Sequence, residues 1–398
     1  MQNIPSTYCP DKQQPKRLVI IAGEESGDMH AASFVRELLA SNHLLHISGI
    51  GGKHMQAAGV QLVSDLARFG VTGISEVIRH LRVIRRAFHD IKAHLLANKP
   101  DLLILVDYPG FNLRLAKFAK QQGIRVLYYI SPQIWAWKAG RIKTIRDCVD
   151  RMAVILPFEK KLYENAGVPV TFVGHPLVET VCESVDMSAT RNELGLPLNK
   201  RIVAMLPGSR THEIERHMPV LCESAIRLSK QFDDLHFVVP IAGTVDPALV
   251  KSYFNKIDIP YTLTNGNAVK TVACSDCVVV ASGTASLECA LLQKPMCIIY
   301  KASLLTYIAA SALIKVNYLG LCNLLQNEMI VPELLQYDCN PLELTRVMCD
   351  LLNDRHVSER MVARLQRLTL SLSAQEADCS ITALIEQELR DCTPSRGY

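Results

Sequence analysis

The sequence predicts an α/β protein made of two doubly wound domains that face each other across a cleft. Short apolar runs alternate with amphipathic stretches along the chain, which is the pattern of parallel strands covered by helices. This alternation occurs twice in succession, and 398 residues are enough for two or three domains at about 150 residues each. Ligands of open α/β sheets bind beyond the carboxyl ends of the strands, so functional residues are expected there.

The first predicted unit contains six strands, which are 17–22, 45–50, 102–106, 126–130, 151–156 and 170–173. A helix is predicted over 29–40, and apolar residues at helical spacing predict another over 77–95. Residues 1–17 are polar and contain three prolines but no apolar segment. They predict a flexible extension without a secretory signal.

The second predicted unit follows an expected connection at 176–200, which begins acidic and ends in ELGLPLNK. Its predicted strands are 201–206, 235–240, 277–281 and 296–300. Residues 342–374 have a helical pattern, and 380–389 predict a last helix.

Composition excludes several classes of protein. Hydrophobic residues make up 49% of the chain, which excludes a disordered protein. The net charge is only +4, which does not indicate a nucleic-acid partner. The odd count of 13 cysteines predicts free thiols, and the single CxxC at 274–277 lacks the second pair of a zinc site. The best apolar stretch, 302–314, is shorter than the roughly 20 residues that span a bilayer.

Polar residues follow the strands of the first unit. Glu24, Ser26 and Asp28 lie in AGEESGD, which predicts either a polar wall for a hydroxyl-rich substrate or an ordinary capped helix start. Asp107 opens DYPGFN and is a candidate general base, with helix capping as the alternative. Trp135 offers an apolar face to a sugar or an acyl chain, or else anchors its loop.

His175 lies at the expected domain junction, where it either binds a ligand or fixes the hinge. Glu24, Glu25, Asp28 and, more weakly, His175 remain alternatives to Asp107 as the base.

The second unit carries a nucleotide-diphosphate signal in two loops. Ser209 and Arg210 follow its first strand, and a planar guanidinium suits a diphosphate. Ser282, Gly283 and Thr284 open a helix whose free amides favour an anion, and Glu288 could accept hydrogen bonds from ribose hydroxyls. The chain has neither Asp-x-Asp nor a P-loop motif, so Arg210 and helix amides are expected to replace a metal ion.

The helix predicted over 77–95 is basic as well as apolar, which predicts contact with an anionic membrane surface. Its alternative is a core-facing helix with a solvated basic side. The candidate membrane contacts are Val71, Ile74, Ile78, Leu81, Arg82, Arg85 and Arg86.

Eight motifs together resemble the lipid-A-disaccharide synthase family. In chain order they are AGEESGDMH, GIGG followed by Met55, DYPGFN, SPQIWAWKAGRIKTI, FVGHPL, LPGSRTHEI, ASGTASLECALLQKP and NLLQNEMIVPELLQ. The resemblance extends from about Leu18 to Gln336 and implies the GT-B architecture and an inverting glycosyltransferase.

The resemblance also implies the reaction and its setting. The donor is UDP-2,3-diacylglucosamine and the acceptor is 2,3-diacylglucosamine 1-phosphate, or lipid X. The products are the β(1→6)-linked disaccharide 1-phosphate and UDP, and no metal or other cofactor is needed. Members lie on the cytoplasmic face of the Gram-negative inner membrane as peripheral proteins, and some are homodimers with exchanged C-terminal segments. The oligomeric state of this chain and its acyl-chain length stay open.

Residue by residue, Asp107 matches the essential aspartate of the family and Arg210 its second-domain arginine. Residues 282–284 and Glu288 match the UDP-binding stretch, and Asn323 matches an asparagine near the nucleotide. The chain departs from the usual D-x-P-D-F-N at Gly110, which leaves Asp107 as the only acid of that motif.

With this resemblance, 18–178 is the expected acceptor- and membrane-facing Rossmann-like domain, and 179–375 is the expected UDP-sugar-binding one. The C-terminal helix within 376–398 is expected to cross back and join the first domain. Three alternatives remain: another GT-B enzyme, such as a UDP-N-acetylglucosamine 2-epimerase or a transferase with a polyprenyl-linked acceptor; a non-catalytic sugar-nucleotide or membrane-binding module; and an NAD-dependent dehydrogenase. No GxGxxG follows a strand, which disfavours the dehydrogenase most.

Overall fold

In the computed structural model the chain divides into two compact units. The first contains residues up to Val173 together with those from Asp378 onward, and the second contains Gly174–Ala377. The structure describes residues 15–41, 44–66, 74–132, 140–181, 186–302, 317–373 and 375–391, without the side chains of 74–80, 179 and 180.

The first unit is built on a seven-stranded parallel sheet. Its strands are β1 (Lys16–Ala22), β2 (Leu45–Gly51), β3 (Gln61–Asp65), β4 (Leu102–Val106), β5 (Val126–Tyr129), β6 (Arg151–Val154) and β7 (Val170–Phe172). Its N-terminal helices within the described residues are α1 (Glu25–Ser41), α2 (Lys53–Ala57), α3 (Ile74–Ala97), α4 (Pro109–Gln121), α5 (Arg141–Cys148) and α6 (Pro157–Asn165). The strand order is β3-β2-β1-β4-β5-β6-β7, so the chain switches direction across the sheet between β1 and β4.

The second unit repeats this plan with six parallel strands in the order β10-β9-β8-β11-β12-β13. These strands are β8 (Arg201–Leu206), β9 (Leu235–Ile241), β10 (Tyr261–Asn265), β11 (Cys277–Ala281), β12 (Met296–Tyr300) and β13 (Glu333–Leu335). The described helices here are α7 (Pro176–Val181), α8 (Met187–Glu193), α9 (Thr211–Ser229), α10 (Pro247–Phe254), α11 (Ala268–Ala273), α12 (Thr284–Leu291), α13 (Leu321–Gln326), α14 (Pro341–Asn353) and α15 (Arg355–Leu372). Two parallel-sheet α/β domains confirm the predicted fold class.

The last described helix, α16 (Ile381–Asp391), belongs to the first unit. Its Leu384, Ile385 and Leu389 join the hydrophobic cluster that lies beneath β1, β4 and α1. The chain therefore leaves the first unit after β7 and returns to it for this helix.

Several predicted elements need correction. Residues 176–200, predicted as a connection between the two units, instead belong to the second unit and contain α7 and α8. Arg191 of α8 donates to the Cys274 carbonyl at 2.9 Å and pairs with Asp276 at 2.9 Å, which fastens this helix to the second unit. The helical stretch 342–374 is two helices, because the carboxylate of Asp354 accepts the amides of His356 and Val357 and starts a new one.

In the part of the chain that the structure describes, no helix is both long enough and apolar enough to cross a membrane. The described cysteines all carry free thiols, and most of them are buried.

Candidate functional site

In the first unit, Asp107 lies on a strained turn at the carboxyl end of β4, next to the switch point of the sheet. Asp107 and Tyr108 have φ angles of +45° and +47°, a left-handed conformation that is uncommon outside glycine. Two side chains hold this turn through the backbone carbonyl of Asp107. Tyr128 of β5 donates its hydroxyl at 2.6 Å, and Asn112 of α4 donates Nδ2 at 2.7 Å. The direction in which the Asp107 side chain leaves the backbone is thereby fixed.

The carboxyl group of Asp107 is more basic than an ordinary aspartate. Burial raises its pKa to about 6, although the backbone amide of Tyr108 acts in the opposite direction. At neutral pH the group is ionised, yet it binds a proton far better than a solvated aspartate does. That combination suits a general base.

An aromatic chain joins this turn to its neighbours. The Tyr108 ring lies directly on Gly23 at the end of β1, where a Cβ atom would be 2.3 Å from a ring carbon. The Tyr108 ring also stacks with Phe111 at a centroid distance of 5.8 Å. Phe88 of α3 meets Phe111 edge-on at 5.2 Å. Only glycine fits position 23, because any side chain there would displace Tyr108.

The acidic residues of the AGEESGD segment lie in different surroundings. Asp28 is buried, and its carboxylate accepts the amides of Gly52 at 2.7 Å, Met55 at 3.0 Å and His54 at 3.0 Å. It therefore starts α2, which corrects its assignment to the substrate wall and removes it as an alternative base. Glu24 lies beside Tyr108, whose pKa it helps to raise, and Ser26 is exposed on the first turn of α1.

Of the alternative residues, Glu25 is exposed and lies 3.8 Å from Lys53. His175 belongs to the second unit, where its amide donates to the Leu372 carbonyl at 2.9 Å and its Nδ1 accepts the Leu177 amide at 3.2 Å. These contacts fix the start of α7 within the second unit. Trp135 lies outside the described residues.

The departure at Gly110 leaves no gap in the first unit. This residue is exposed in the first turn of α4, and a Cβ atom built there would have nothing within 4 Å. A carboxylate at that position would project into open space. Its loss therefore leaves the packing around Asp107 intact.

Helix α3 buries one face and exposes three of its arginines. Ala87, Ile91 and Leu95 are buried, while Leu81 is half-buried on the same side. The exposed cations are Arg82, Arg85 and Arg86. Val71 and the side chains of Ile74 and Ile78 lie outside the described residues.

In the second unit, the turn after β8 is shaped by hydrogen bonds at several points. Glu213 of α9 accepts the Ser209 amide at 2.9 Å and pairs with Arg210 at 3.1 Å. Thr244 donates its hydroxyl to the Ser209 carbonyl at 2.6 Å. Gly208 has φ +123°, and a Cβ atom there would be 2.4 Å from the Glu213 carboxylate. The amide of Ser209, expected to meet a phosphate, is thus bonded to Glu213, whereas Arg210 stays half-exposed.

The turn after β11 has the open form that an anion requires. Gly283 and Thr284 are exposed at the start of α12, and a Cβ atom at Gly283 would have nothing within 4 Å. Ser282 donates its hydroxyl to the Leu319 carbonyl at 3.3 Å. Burial raises the pKa of Glu288, which lies one turn into α12.

Asn323 is fully engaged with its own domain. Its Oδ1 accepts the amides of Ile330 and Val331 at 2.8 and 2.9 Å, and its Nδ2 donates to the Val331 carbonyl and to Glu333 at 2.7 Å each. Both donors and both lone pairs are used, so Asn323, which the resemblance places near the nucleotide, has no group left to bind it directly.

Glu333, which was not among the predicted site residues, continues this network. Besides the Asn323 amide it accepts the backbone amides of Leu319 and Gly320 at 2.9 and 3.0 Å. Since Ser282 bonds to the Leu319 carbonyl, Asn323 and Glu333 support the turn after β11 from behind. The sequence signal that could have found Glu333 is its place in the same motif as Asn323.

Among the described residues, the first unit thus contains Asp107, a carboxylate with a raised pKa. The second unit contains the half-exposed Arg210 and the open start of α12. A family described as lipid-A-disaccharide synthetase matches residues 18–389. The chain belongs to the lipid-A-disaccharide synthase family. It is a glycosyltransferase with lipid-A-disaccharide synthase activity in lipid A biosynthesis, which confirms the resemblance.

Similar proteins agree with this membership. Lipid-A-disaccharide synthase 1 of Legionella pneumophila strain Philadelphia 1 is 59% identical over 374 residues, which are 94% of this chain and 97% of that relative. A kitacinnamycin glycosyltransferase matches with a TM-score of 0.64 at 14% identity, covering 94% of this chain and 99% of the other. UDP-GlcNAc 2-epimerase from Neisseria meningitidis, bound to UDP-GlcNAc, gives 0.60 at 12% identity, covering 89% and 99%.

The two solved structures share the fold alone at such low identity, and the glycosyltransferase neighbour confirms the GT-B class. Membership of the lipid-A-disaccharide synthase family decides against the epimerase, polyprenyl-acceptor and dehydrogenase alternatives.

Proposed function

We propose that the chain transfers 2,3-diacylglucosamine from UDP to the 6-hydroxyl of lipid X in a single displacement. The bond between the anomeric carbon and the UDP oxygen breaks, and a bond from the acceptor O6 forms on the opposite face. The α-linked donor thus gives a β(1→6)-linked disaccharide 1-phosphate, and UDP leaves with the electron pair. Family membership supports the reaction, and the geometry of Asp107 supports its mechanism.

Asp107 takes the proton of the acceptor hydroxyl as the new bond forms. The observation that carries this role is the half-buried carboxyl with a pKa of about 6, on a turn that Tyr128 and Asn112 hold in place. A positioned base of matched pKa contributes about 10²–10⁴-fold to the rate. Asp28 cannot compete for this role, because backbone amides occupy both oxygens of its carboxylate.

The second unit holds the donor through its diphosphate. The guanidinium of Arg210 and the amides at the start of α12 stabilise the charge that develops on UDP, and Glu288 accepts the ribose hydroxyls. These groups supply the positive charge that a metal ion supplies in other enzymes. We therefore propose that the reaction needs neither a metal nor a cofactor.

A detergent-micelle assay tests this reaction directly. It contains UDP-2,3-diacylglucosamine and lipid X, with and without EDTA, and follows both UDP release and the mass and linkage of the product. A β-linked disaccharide phosphate at an EDTA-independent rate is expected. Loss of activity in EDTA with recovery on added Mg²⁺ would contradict the metal-free proposal, and an α-linked product would contradict single displacement.

The exposed cations of α3 support a further part of the proposal, which is binding to the anionic cytoplasmic face of the inner membrane. Each cation near such a surface contributes about 1 kcal/mol, so replacing Arg82, Arg85 and Arg86 by Gln is expected to weaken vesicle binding by about 10²-fold. Flotation with anionic and neutral vesicles measures the effect.

A matched control replaces the exposed Arg346, Arg355 and Arg367 of the second unit by Gln, which removes the same charge elsewhere. Binding that weakens equally in both triple variants would show a nonspecific charge effect, not a surface on α3.

A further inference from the structure

His217 connects two loops at the carboxyl ends of the second sheet. It lies on α9 and is fully buried. Its Nδ1 is 2.6 Å from the carbonyl oxygen of Pro207, and its Nε2 is 3.0 Å from the backbone nitrogen of Lys301. The Lys301 amide can only donate, so Nε2 accepts and Nδ1 carries the proton that Pro207 accepts. A single neutral tautomer satisfies both contacts.

The two loops that His217 joins lie on either side of the turn after β11. Pro207 follows β8, and Lys301 follows β12. In the strand order these two strands flank β11, whose own carboxyl end opens the turn at 282–284. The imidazole therefore joins the loops on either side of that turn. One of those loops carries Arg210.

We infer that His217 is a positioning residue of the donor site, which sets the 207–210 turn relative to β12 so that Arg210 and the amides of α12 act on one diphosphate. This inference rests on the proposed function of Arg210 and α12.

The surroundings of the ring agree with a neutral linker. Burial is the main cause that lowers the pKa of His217, and the charges of Arg216 and Lys301 lower it further. Glu213 and the Pro207 carbonyl act in the opposite direction. A neutral imidazole keeps the acceptor that the Lys301 amide needs.

Two substitutions separate the halves of the link. His217→Asn places an amide donor where Nδ1 lies and retains the bond to Pro207. His217→Gln reaches the place of Nε2 with an acceptor for the Lys301 amide. His217→Ala removes both bonds.

A control comes from the same helix. Ser224 is also buried in α9 and donates its hydroxyl to the Val220 carbonyl at 2.8 Å, away from the 207–210 turn. Ser224→Ala therefore reports what the loss of a buried polar contact in α9 does to the domain as a whole.

The experiment measures UDP affinity by titration calorimetry, the KM for each substrate, and thermal unfolding. We expect His217→Ala to weaken UDP binding and raise the donor KM by about tenfold, with the acceptor KM unchanged. Asn and Gln should each recover part of the affinity, and Ser224→Ala should leave UDP affinity unchanged.

Wild-type UDP affinity in His217→Ala would overturn the inference, as would an equal loss in Ser224→Ala. Should the Ala variant not fold, wild-type affinity in both the Asn and Gln variants would overturn it. Failure of the wild-type chain itself to bind UDP would instead overturn the proposed donor site.

Discussion

The ionised carboxylate of Asp107 destabilises the folded protein. Its pKa is about 6 in the folded chain against 3.8 for the ordinary group. The ionised form is therefore disfavoured by folding. The contribution of Asp107 to the free energy of unfolding is present in full only below about pH 4. It is lost as the pH rises through about 6. At 1.36 kcal/mol per unit, the loss reaches at most about 3 kcal/mol.

Asp107→Asn is accordingly expected to raise the free energy of unfolding at pH 8 while activity falls by about 10²–10⁴-fold. The stability gain should shrink towards pH 4, where both side chains are neutral. Urea unfolding at both pH values and kcat at pH 8 measure the two effects.

Two further measurements bear on this prediction. The kcat/KM of the wild type should rise with pH through an apparent pKa near 6, because the base must be ionised in the free enzyme. Glu24→Gln is the control, since it removes a neighbouring acid but leaves Asp107. If Asp107→Asn kept near-normal turnover and Glu24→Gln lost it, Glu24 would be the base.

The sequence nominated Asp107 as a candidate site residue, but it did not show the hydrogen-bond partners of Asp28 and Asn323. Asp107 was predicted because an acid after a buried strand lies at the binding edge of a parallel sheet. The roles of Asp28 and Asn323 were not, because each depends on backbone amides that only the fold brings near. Those amides belong to 52–55 for Asp28 and to 330–331 for Asn323.

Among whole elements, α2 depends on a carboxylate from another helix. Its own N-cap residue, Gly52, offers no side-chain acceptor, and Asp28 of α1 supplies one in its place. Asp28→Ala would leave three buried or half-buried amides without that partner. A cap contributes about 1 kcal/mol, and an unsatisfied buried amide costs about 1–3 kcal/mol.

We therefore expect Asp28→Ala to lower the free energy of unfolding by about 2–4 kcal/mol in urea titrations. Asp28→Asn should lose less, because its remaining oxygen can still accept from Gly52 and Met55. The neighbouring exposed Glu25→Gln should change stability by less than about 0.5 kcal/mol. An equal effect of Ala and Asn would contradict this account of α2.

Among the described strands, those in the middle of each sheet were all predicted, and so was the edge strand β7, whereas the other edge strands were not. LLILV of β4 and CVVVA of β11 are buried at every position and read as unbroken apolar runs. The missed strands β3, β10 and β13 lie at sheet edges, with sequences QLVSD, YTLTN and ELL. Half-exposed strands of three to five residues mix polar and apolar side chains, so composition alone does not separate them from loops.

At the scale of the whole molecule, the return of α16 makes the first unit discontinuous in sequence. Glu388 of this helix is fully buried and binds Arg125 at 2.6 Å and Arg151 at 3.1 Å. Nearby, Asp378 accepts the Phe172 amide at 2.9 Å. The fold of residues before 174 thus depends on a carboxylate encoded more than 200 positions later.

Glu388→Ala is expected to destabilise the first unit by about 3 kcal/mol, the lower end for breaking a buried ion pair. The lower end applies because Arg125 and Arg151 are 34% and 27% exposed and can regain water. Hydrogen exchange should show lost protection in α16, β5 and β6, with the strands β8–β13 unchanged, since each unit has its own core. Gln387→Ala, on the exposed side of the same helix, is the control. Loss of protection spread equally over both units would mean that α16 supports the whole chain and not the first unit alone.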